Sequence, residues 1–142
     1  GRMTYKEKRD FLNGYAEAKM EIIGALSEIE RWEAVGAKMN QVLEYRPGGN
    51  NLSNENKSRV EQAAVEVMTI IEKIKPEIAE AEQEKRKVLD AIEKHSRYRR
   101  QRNLLYWKYI RMMSNDEIAA AIGKDLRTVR HALRKAIMDL DV

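Results

Sequence analysis

The sequence of 142 residues contains no cysteine, two histidines and two prolines, and aromatic residues make up only 6% of it. The absence of cysteine excludes disulfide bonds, thiolate zinc sites and cysteine nucleophiles. The two histidines, His95 and His131, are far apart in sequence and do not form the i, i+4 pair of a helical metal motif. We therefore predict no metal site, no cofactor and no enzymatic activity.

Long apolar runs are also absent. No segment approaches the roughly 20 apolar residues that a membrane-spanning helix needs, and the N-terminus lacks the basic-then-apolar pattern of a signal peptide. We expect a cytoplasmic protein without a membrane partner. Few prolines and aromatic residues, together with 35% charged residues, are typical of long helices. The predicted fold class is all-α.

Charge is distributed unevenly along the chain. Residues 94–142 contain 12 of the 27 lysine and arginine residues but only five of the 23 aspartate and glutamate residues. The net charge of +4 therefore combines a strongly basic C-terminal third with a slightly acidic remainder. This pattern favours a polyanionic partner at one end of the chain, and an ordinary solvated surface is the alternative.

Two long helices are predicted within residues 3–95. Apolar side chains recur at steps of three and four from residue 5 to about 43, and again from about Asn56 to at least His95. Proline, glycines and asparagines between them predict a loop at residues 46–56. Pro76 lies inside the second helix, and because the apolar pattern keeps its phase there, we predict one bent helix rather than two.

The second helix carries a heptad pattern over five repeats. We predict that the two helices form an antiparallel coiled-coil hairpin and that a homodimer or higher homo-oligomer completes its thin core. A monomeric hairpin is the alternative. The predicted oligomerisation seam consists of Val60, Val67, Ile71, Ile74, Ile78, Val88 and Ile92.

Residues 96–142 have the junctions of a helix-turn-helix module. Ser114 and Glu117 have the spacing of a capping box, which predicts a helix that begins at Asn115. Gly123 is suited to the left-handed turn that ends this helix, and Asp125 is suited to cap the next one. Apolar residues at fixed spacings on both sides of the glycine complete the pattern.

The last predicted helix has an apolar face and a cationic face. Arg127 and Arg130, near its start, are candidates for contacts with base edges in a DNA major groove, with His131 and Arg134 behind them. A small helical bundle with an ordinary basic surface is the alternative. The candidates for contacts with DNA phosphates are Arg97, Arg99, Arg100, Arg102, Lys108, Arg111, Lys124 and Lys135.

Residues 104–110, 114–119, Gly123 and 128–136 together resemble region 4 of the sigma-70 family, which reads promoter DNA through its last helix. Transferred by position, the resemblance implies that Asp125, Arg127, Thr128, Arg130, His131 and Arg134 face DNA. Thr128 thereby joins the base-contact candidates and Asp125 joins the backbone-contact candidates. One departure is Met112, because the sigma-like pattern usually has glycine at this position.

The order of segments along the chain is similar to that of the RinA and ArpU late-gene regulators of phages and prophages. This resemblance implies a transcriptional regulator of phage genes in the cytoplasm of a bacterial host, with double-stranded DNA as its partner and RNA polymerase as a candidate second partner. Two other functions stay open. One is a DNA-packaging protein like a small terminase subunit, and the other is a structural coiled-coil adaptor.

Overall fold

The computed structural model describes residues 3–44 and 54–142, and every regular element within these ranges is a helix. The predicted all-α class is therefore confirmed for these residues. None of the helices described combines the length and apolar content needed to cross a membrane. The elements are α1 (Tyr5–Leu12), α2 (Gly14–Glu44), α3 (Asn54–His95), α4 (Arg99–Leu105), a π-helix (Tyr106–Ile110), α5 (Asn115–Ile122) and α6 (Leu126–Asp139).

The sequence predicted one helix from residue 5 to about 43, whereas the structure has two, with a break at Asn13. The ψ of this residue is −6°, whereas ψ in a regular α-helix is about −42°, and the residue separates α1 from α2. Asparagine is followed by Gly14, and both residues are poor helix formers, which gives the break its physical reason. A capping box between Thr4 and Glu7 marks the start of α1.

The second predicted helix is confirmed as continuous, because α3 runs through Pro76 without a break. It begins at Asn54, so the last three residues of the loop predicted at 46–56 are helical. The rest of that loop, residues 46–53, lies outside the described residues.

Contacts divide the chain into two compact units. The terminal unit contains the described residues up to Lys19 together with Ala79–Val142, and the middle unit contains the described residues from Met20 to Ile78. The predicted module at residues 96–142 lies entirely in the terminal unit, and so do the two ends of the predicted hairpin segment at 3–95.

The terminal unit is built around buried aliphatic side chains from each of its helices. Leu12 of α1, Val88 and Ile92 of α3 and Leu105 of α4 are completely buried. Asp141 and Val142, which follow α6, form backbone hydrogen bonds with two other parts of this unit. The Asp141 amide donates to the His95 carbonyl, and the Met3 amide donates to the Val142 carbonyl. These bonds hold the end of the chain in place.

In the middle unit α2 and α3 lie side by side, with small residues where they approach. A Cβ atom placed on Gly36 of α2 would lie 3.9 Å from the Ala63 Cβ of α3. Ala63, Ile70 and Ile74 of α3 are buried. Small side chains at such positions allow the two backbones to come close.

The residues of the predicted oligomerisation seam differ in their burial within the single chain. In the middle unit Ile74 is only 5% exposed, whereas Ile71 and Ile78 are 39% and 42% exposed. Ile70 takes the buried place next to Ile74, and because Ile70 and Ile71 are equally apolar, the pattern of apolar residues alone does not choose between them. Val60 and Val67 are half-buried, and Val88 and Ile92 lie in the core of the terminal unit.

Candidate nucleic-acid interface

Helix α5 begins at the predicted capping box, which is confirmed atom by atom. The Ser114 Oγ accepts a hydrogen bond of 3.1 Å from the Glu117 amide, and the Glu117 Oε1 accepts one of 3.2 Å from the Ser114 amide. Two amides that the first turn of a helix leaves without backbone partners are thereby satisfied. The start of α5 is fixed at Asn115.

The turn between α5 and α6 is formed by a left-handed glycine and an aspartate cap, as predicted. Gly123 has a φ of +68° and a ψ of +33°, and the Lys124 amide donates to the Ala119 carbonyl. The Asp125 side chain then accepts a hydrogen bond of 2.7 Å from the Thr128 amide. Hydrogen bonds from the side chain and the amide of Thr128 lower the pKa of Asp125, so the cap stays ionised to a lower pH than a free aspartate does.

A cluster of apolar side chains holds the two helices together. Ile118 and Val129 are completely buried, and Leu133 is nearly so. Helices α5 and α6 share this cluster with α4 and the π-helix. Because the buried face of α6 is packed in the cluster, the direction of its outer face is fixed. The cluster consists of Leu104, Ile118, Ala119, Val129 and Leu133, with Trp107, Met113, Ile122 and Ala132 partly buried around it.

The outer face of α6 presents the predicted base-contact residues. Arg127, Thr128, Arg130, His131 and Arg134 are all exposed. Arg127, Arg130, His131 and Arg134 follow one another at steps of three and four or lie side by side, so they share one face of the helix. Neither Arg127 nor Arg130 forms an ion pair with an acidic residue in the described part of the chain, so their charges are not neutralised there.

Arg134 differs from its neighbours because α1 packs against α6 next to it. The Arg134 guanidinium carbon lies 4.9 Å from the centre of the Tyr5 ring, and the Arg9 guanidinium carbon lies 5.9 Å from the same ring. The Lys8 ammonium donates a hydrogen bond of 2.9 Å to the Met138 carbonyl near the end of α6. The N-terminal helix therefore borders the cationic face at its C-terminal half.

The predicted phosphate-contact residues are spread over several surfaces. Lys108 lines one cleft with Arg130 and Arg134, whereas Arg102 lines a separate groove that also contains Glu93. Arg97 instead lies over the ring of its neighbour Tyr98, at 5.3 Å. The exposed members of the set are Arg97, Arg99, Arg100, Arg111, Lys124, Asp125 and Lys135, and Arg102 and Lys108 are half-buried.

The cleft that contains Lys108 has a volume of about 320 Å³ and is lined by residues of α1, the π-helix, α5 and α6. Burial, together with a charged Tyr5, raises the pKa of Tyr109 on the wall of this cleft to about 12, and Arg9 opposes the rise. The Oδ1 of Asn115, another lining residue, is buried without a hydrogen-bond partner. The cleft therefore combines cations with an unsatisfied polar atom.

Met112 adopts the left-handed backbone conformation, with a φ of +56°, directly after the π-helix. This is the position at which the sigma-like pattern usually has glycine. A residue with a side chain is disfavoured here by about 1–2 kcal/mol. The sequence therefore departs from the sigma-like pattern at a residue, Met112, whose backbone conformation favours glycine.

The sequence did not indicate that Tyr5 and Arg9 lie beside the cationic face of α6. The Thr4 and Glu7 pair, which has the spacing of a capping box, was a readable sign that a helix begins at Tyr5. No local pattern indicates that this helix packs on α6, because Lys8 and Met138 are separated by 130 positions.

Comparisons with protein-family models, curated proteins and solved structures gave no match to this chain. Among the residues that the structure describes, no group of three or more histidine, aspartate or glutamate side chains is arranged to hold a metal ion.

Proposed function

We propose that this chain is a sequence-specific DNA-binding transcriptional regulator of phage or prophage genes. In this proposal α5 and α6 act as a helix-turn-helix and α6 enters the major groove. The observation that carries the proposal is the exposed cationic face of α6 at Arg127, Arg130 and His131, opposite a completely buried Val129. The resemblance to sigma-70 region 4 and to the RinA and ArpU regulators supports the same function.

The chemistry of this face suits base edges as well as phosphates. An arginine guanidinium can donate two hydrogen bonds to the O6 and N7 atoms of guanine, and an α-helix fits the width of the major groove. Helix α6 has 14 residues and is therefore about 21 Å long. Its caps and its apolar cluster hold the helix in place before DNA arrives, so little ordering is needed on binding.

Selection of binding sites from random DNA, followed by affinity measurements on the selected site, tests the proposal. Alanine at Arg127 or Arg130 should weaken binding to the selected site by about 5- to 150-fold, which corresponds to about 1–3 kcal/mol. Binding to random DNA should change less. An equal loss on both DNAs would reassign these arginines to phosphate contacts.

The matched control for this experiment is alanine at Lys73. Lys73 is exposed on α3 in the middle unit, so its replacement removes one positive charge without touching α6. Wild-type protein should lose affinity steeply as salt rises, because counterions are released from DNA on binding. Absence of any salt-dependent affinity for DNA would refute the proposal and favour the structural adaptor.

We further propose that the middle unit mediates self-association. Ile71 and Ile78 of α3 are exposed in the single chain although they are large and apolar, and Met68 and Leu26 are exposed in the same unit. A second copy of the chain is the occupant that the heptad pattern predicts for such a surface.

The Ile71→Asp variant distinguishes a role of Ile71 in self-association from a role in the fold of the single chain. Because Ile71 is exposed in the single chain, the variant should keep its helical content and lose its oligomeric mass by sedimentation. Aspartate at the buried Ile74 should instead lower helical content. A wild-type dimer agrees with regulation, whereas rings of eight or more subunits would favour DNA packaging. Contact with RNA polymerase stays a prediction of the resemblance.

A further inference from the structure

Among the residues that the structure describes, the lining of the cleft between α1, the π-helix and α6 contains three cations and no acidic residue. Lys108 comes from the π-helix, and Arg130 and Arg134 come from successive turns of α6. Like charges four positions apart on a helix repel each other, and no carboxylate in the lining offsets this repulsion. An anion seated beside Lys108 and Arg134 would offset the repulsion and gain attraction to both, which leaves the Arg130 guanidinium for the base edge proposed above.

Tyr5 holds one of the three cations in an orientation suited to an anion. The Arg134 guanidinium lies 4.9 Å from the Tyr5 ring centre, a distance at which a planar guanidinium is attracted to the face of the ring. Its N–H groups point outwards from the edge of the guanidinium plane, so a guanidinium placed against the ring keeps donors for an acceptor at its side. Arg9 lies 5.9 Å from the same ring and adds a further positive charge nearby.

A neutral donor also lines the cleft. The Tyr109 hydroxyl is protonated at neutral pH, and burial raises its pKa further, to about 12, so this group is a hydrogen-bond donor and adds no negative charge.

We infer that this cleft binds a phosphate group and that, in the DNA complex, this group is a backbone phosphate beside the groove that α6 enters. The DNA source of the phosphate rests on the proposed function, whereas the phosphate chemistry of the cleft does not. Arg134 then anchors the DNA backbone instead of reading a base, and α1 becomes part of the interface. Contacts of this kind fix the orientation of a recognition helix.

The first arm of the test measures DNA affinity against salt for Lys108→Gln and Arg134→Gln. Each variant should weaken binding to the selected site and to random DNA by the same factor. Each should also make the decline in affinity between about 50 and 200 mM salt about 3.5-fold smaller, since one phosphate contact contributes about 0.9 to the logarithmic slope. Lys73→Gln, which removes an exposed charge of the middle unit, should leave the slope unchanged, and circular dichroism checks that each variant is folded.

Tyr5 is tested as a positioning residue. Leucine at this position should lower affinity for both DNAs by a smaller factor than Arg134→Gln does, because the cation remains but loses its ring. Phenylalanine should restore wild-type affinity, since it keeps the ring. Loss of affinity in both variants would overturn the role of the ring.

The second arm titrates inorganic phosphate, with chloride at equal ionic strength as the control, and follows amide chemical shifts. Phosphate should shift amides around Lys108 and Arg130, and Lys108→Gln should abolish these shifts. If phosphate shifts appear but the chain does not bind DNA, the site stands with free phosphate as its source and the proposed function fails separately. Unchanged salt slopes in both glutamine variants, together with no phosphate shifts at the cleft, would overturn the inference.

Discussion

Replacement of Gly123 by alanine isolates the contribution of the turn between α5 and α6. Gly123 has a φ of +68°, and apart from the glycine itself and its two chain neighbours no residue has an atom within 4 Å of the place that an added Cβ would occupy. Alanine therefore meets no steric obstacle from other residues. Any effect of this substitution comes from the backbone conformation alone.

The magnitude follows from two opposing terms. The left-handed conformation costs a residue with a side chain roughly 1–2 kcal/mol, and the smaller freedom of alanine in the unfolded chain returns about 0.4–1 kcal/mol. We expect a net loss of about 1 kcal/mol in the free energy of unfolding of the terminal unit. For a unit of this size, that corresponds to a melting temperature lower by roughly 4–8 °C.

Gly24 provides a control with the opposite expected sign. It lies inside α2, and a Cβ placed there also has no atom within 4 Å. Alanine in a regular helix should stabilise the middle unit by about 0.5–1 kcal/mol. Asparagine at Gly123 should recover part of the loss caused by alanine, because asparagine tolerates the left-handed conformation.

Thermal melting together with hydrogen exchange of the α5 and α6 amides measures these changes unit by unit. The Gly123→Ala variant should exchange faster in α6, and under the proposed function it should also bind DNA more weakly, since the angle of α6 depends on this turn. If Gly123→Ala were as stable as the wild type, or shifted in the same direction as Gly24→Ala, the reasoning from backbone conformation would be refuted.

Three further predictions concern single groups of the terminal unit. Alanine at Ser114 should cost about 1 kcal/mol in a denaturant titration because it removes the cap of α5, and an unchanged midpoint would contradict the capping role. Because the folded-state pKa of Asp125 is lowered, its cap should stabilise α6 above the ordinary aspartate pKa and lose this effect as pH falls through the lowered value. Asp125→Asn should lack that acid dependence, and an identical acid titration would count against it. The pKa of Tyr109 is raised from 10.0 to about 12, so stability should decline as pH rises across this interval. Phenylalanine at Tyr109 should decline less, which alkaline titration would check.

Short-range features of the fold could be predicted from the sequence because neighbouring residues determine them. Ser114 and Glu117 satisfy each other across one turn, and Gly123 is the residue that adopts a left-handed turn at least cost. The continuity of α3 through Pro76 also followed from the phase of the apolar residues on both sides.

Features that depend on distant parts of the chain could not be predicted in this way. The choice between Ile70 and Ile71 as the buried residue of α3 depends on where α2 lies, and both side chains have the same chemistry. The contact between Tyr5 and Arg134 joins residues near opposite ends of the sequence. The π-helix at Tyr106–Ile110 and the left-handed conformation of Met112 were likewise not predicted from the local sequence pattern.

The hydrogen bond from Lys8 to the Met138 carbonyl has a consequence for synthesis in the cell. Translation makes α1 before α6, and Lys8 and Met138 are separated by 130 positions. Contacts so distant in sequence form slowly, whereas the middle unit can assemble from segments already made. Helix α1 is therefore made before the middle unit but reaches its folded position after it.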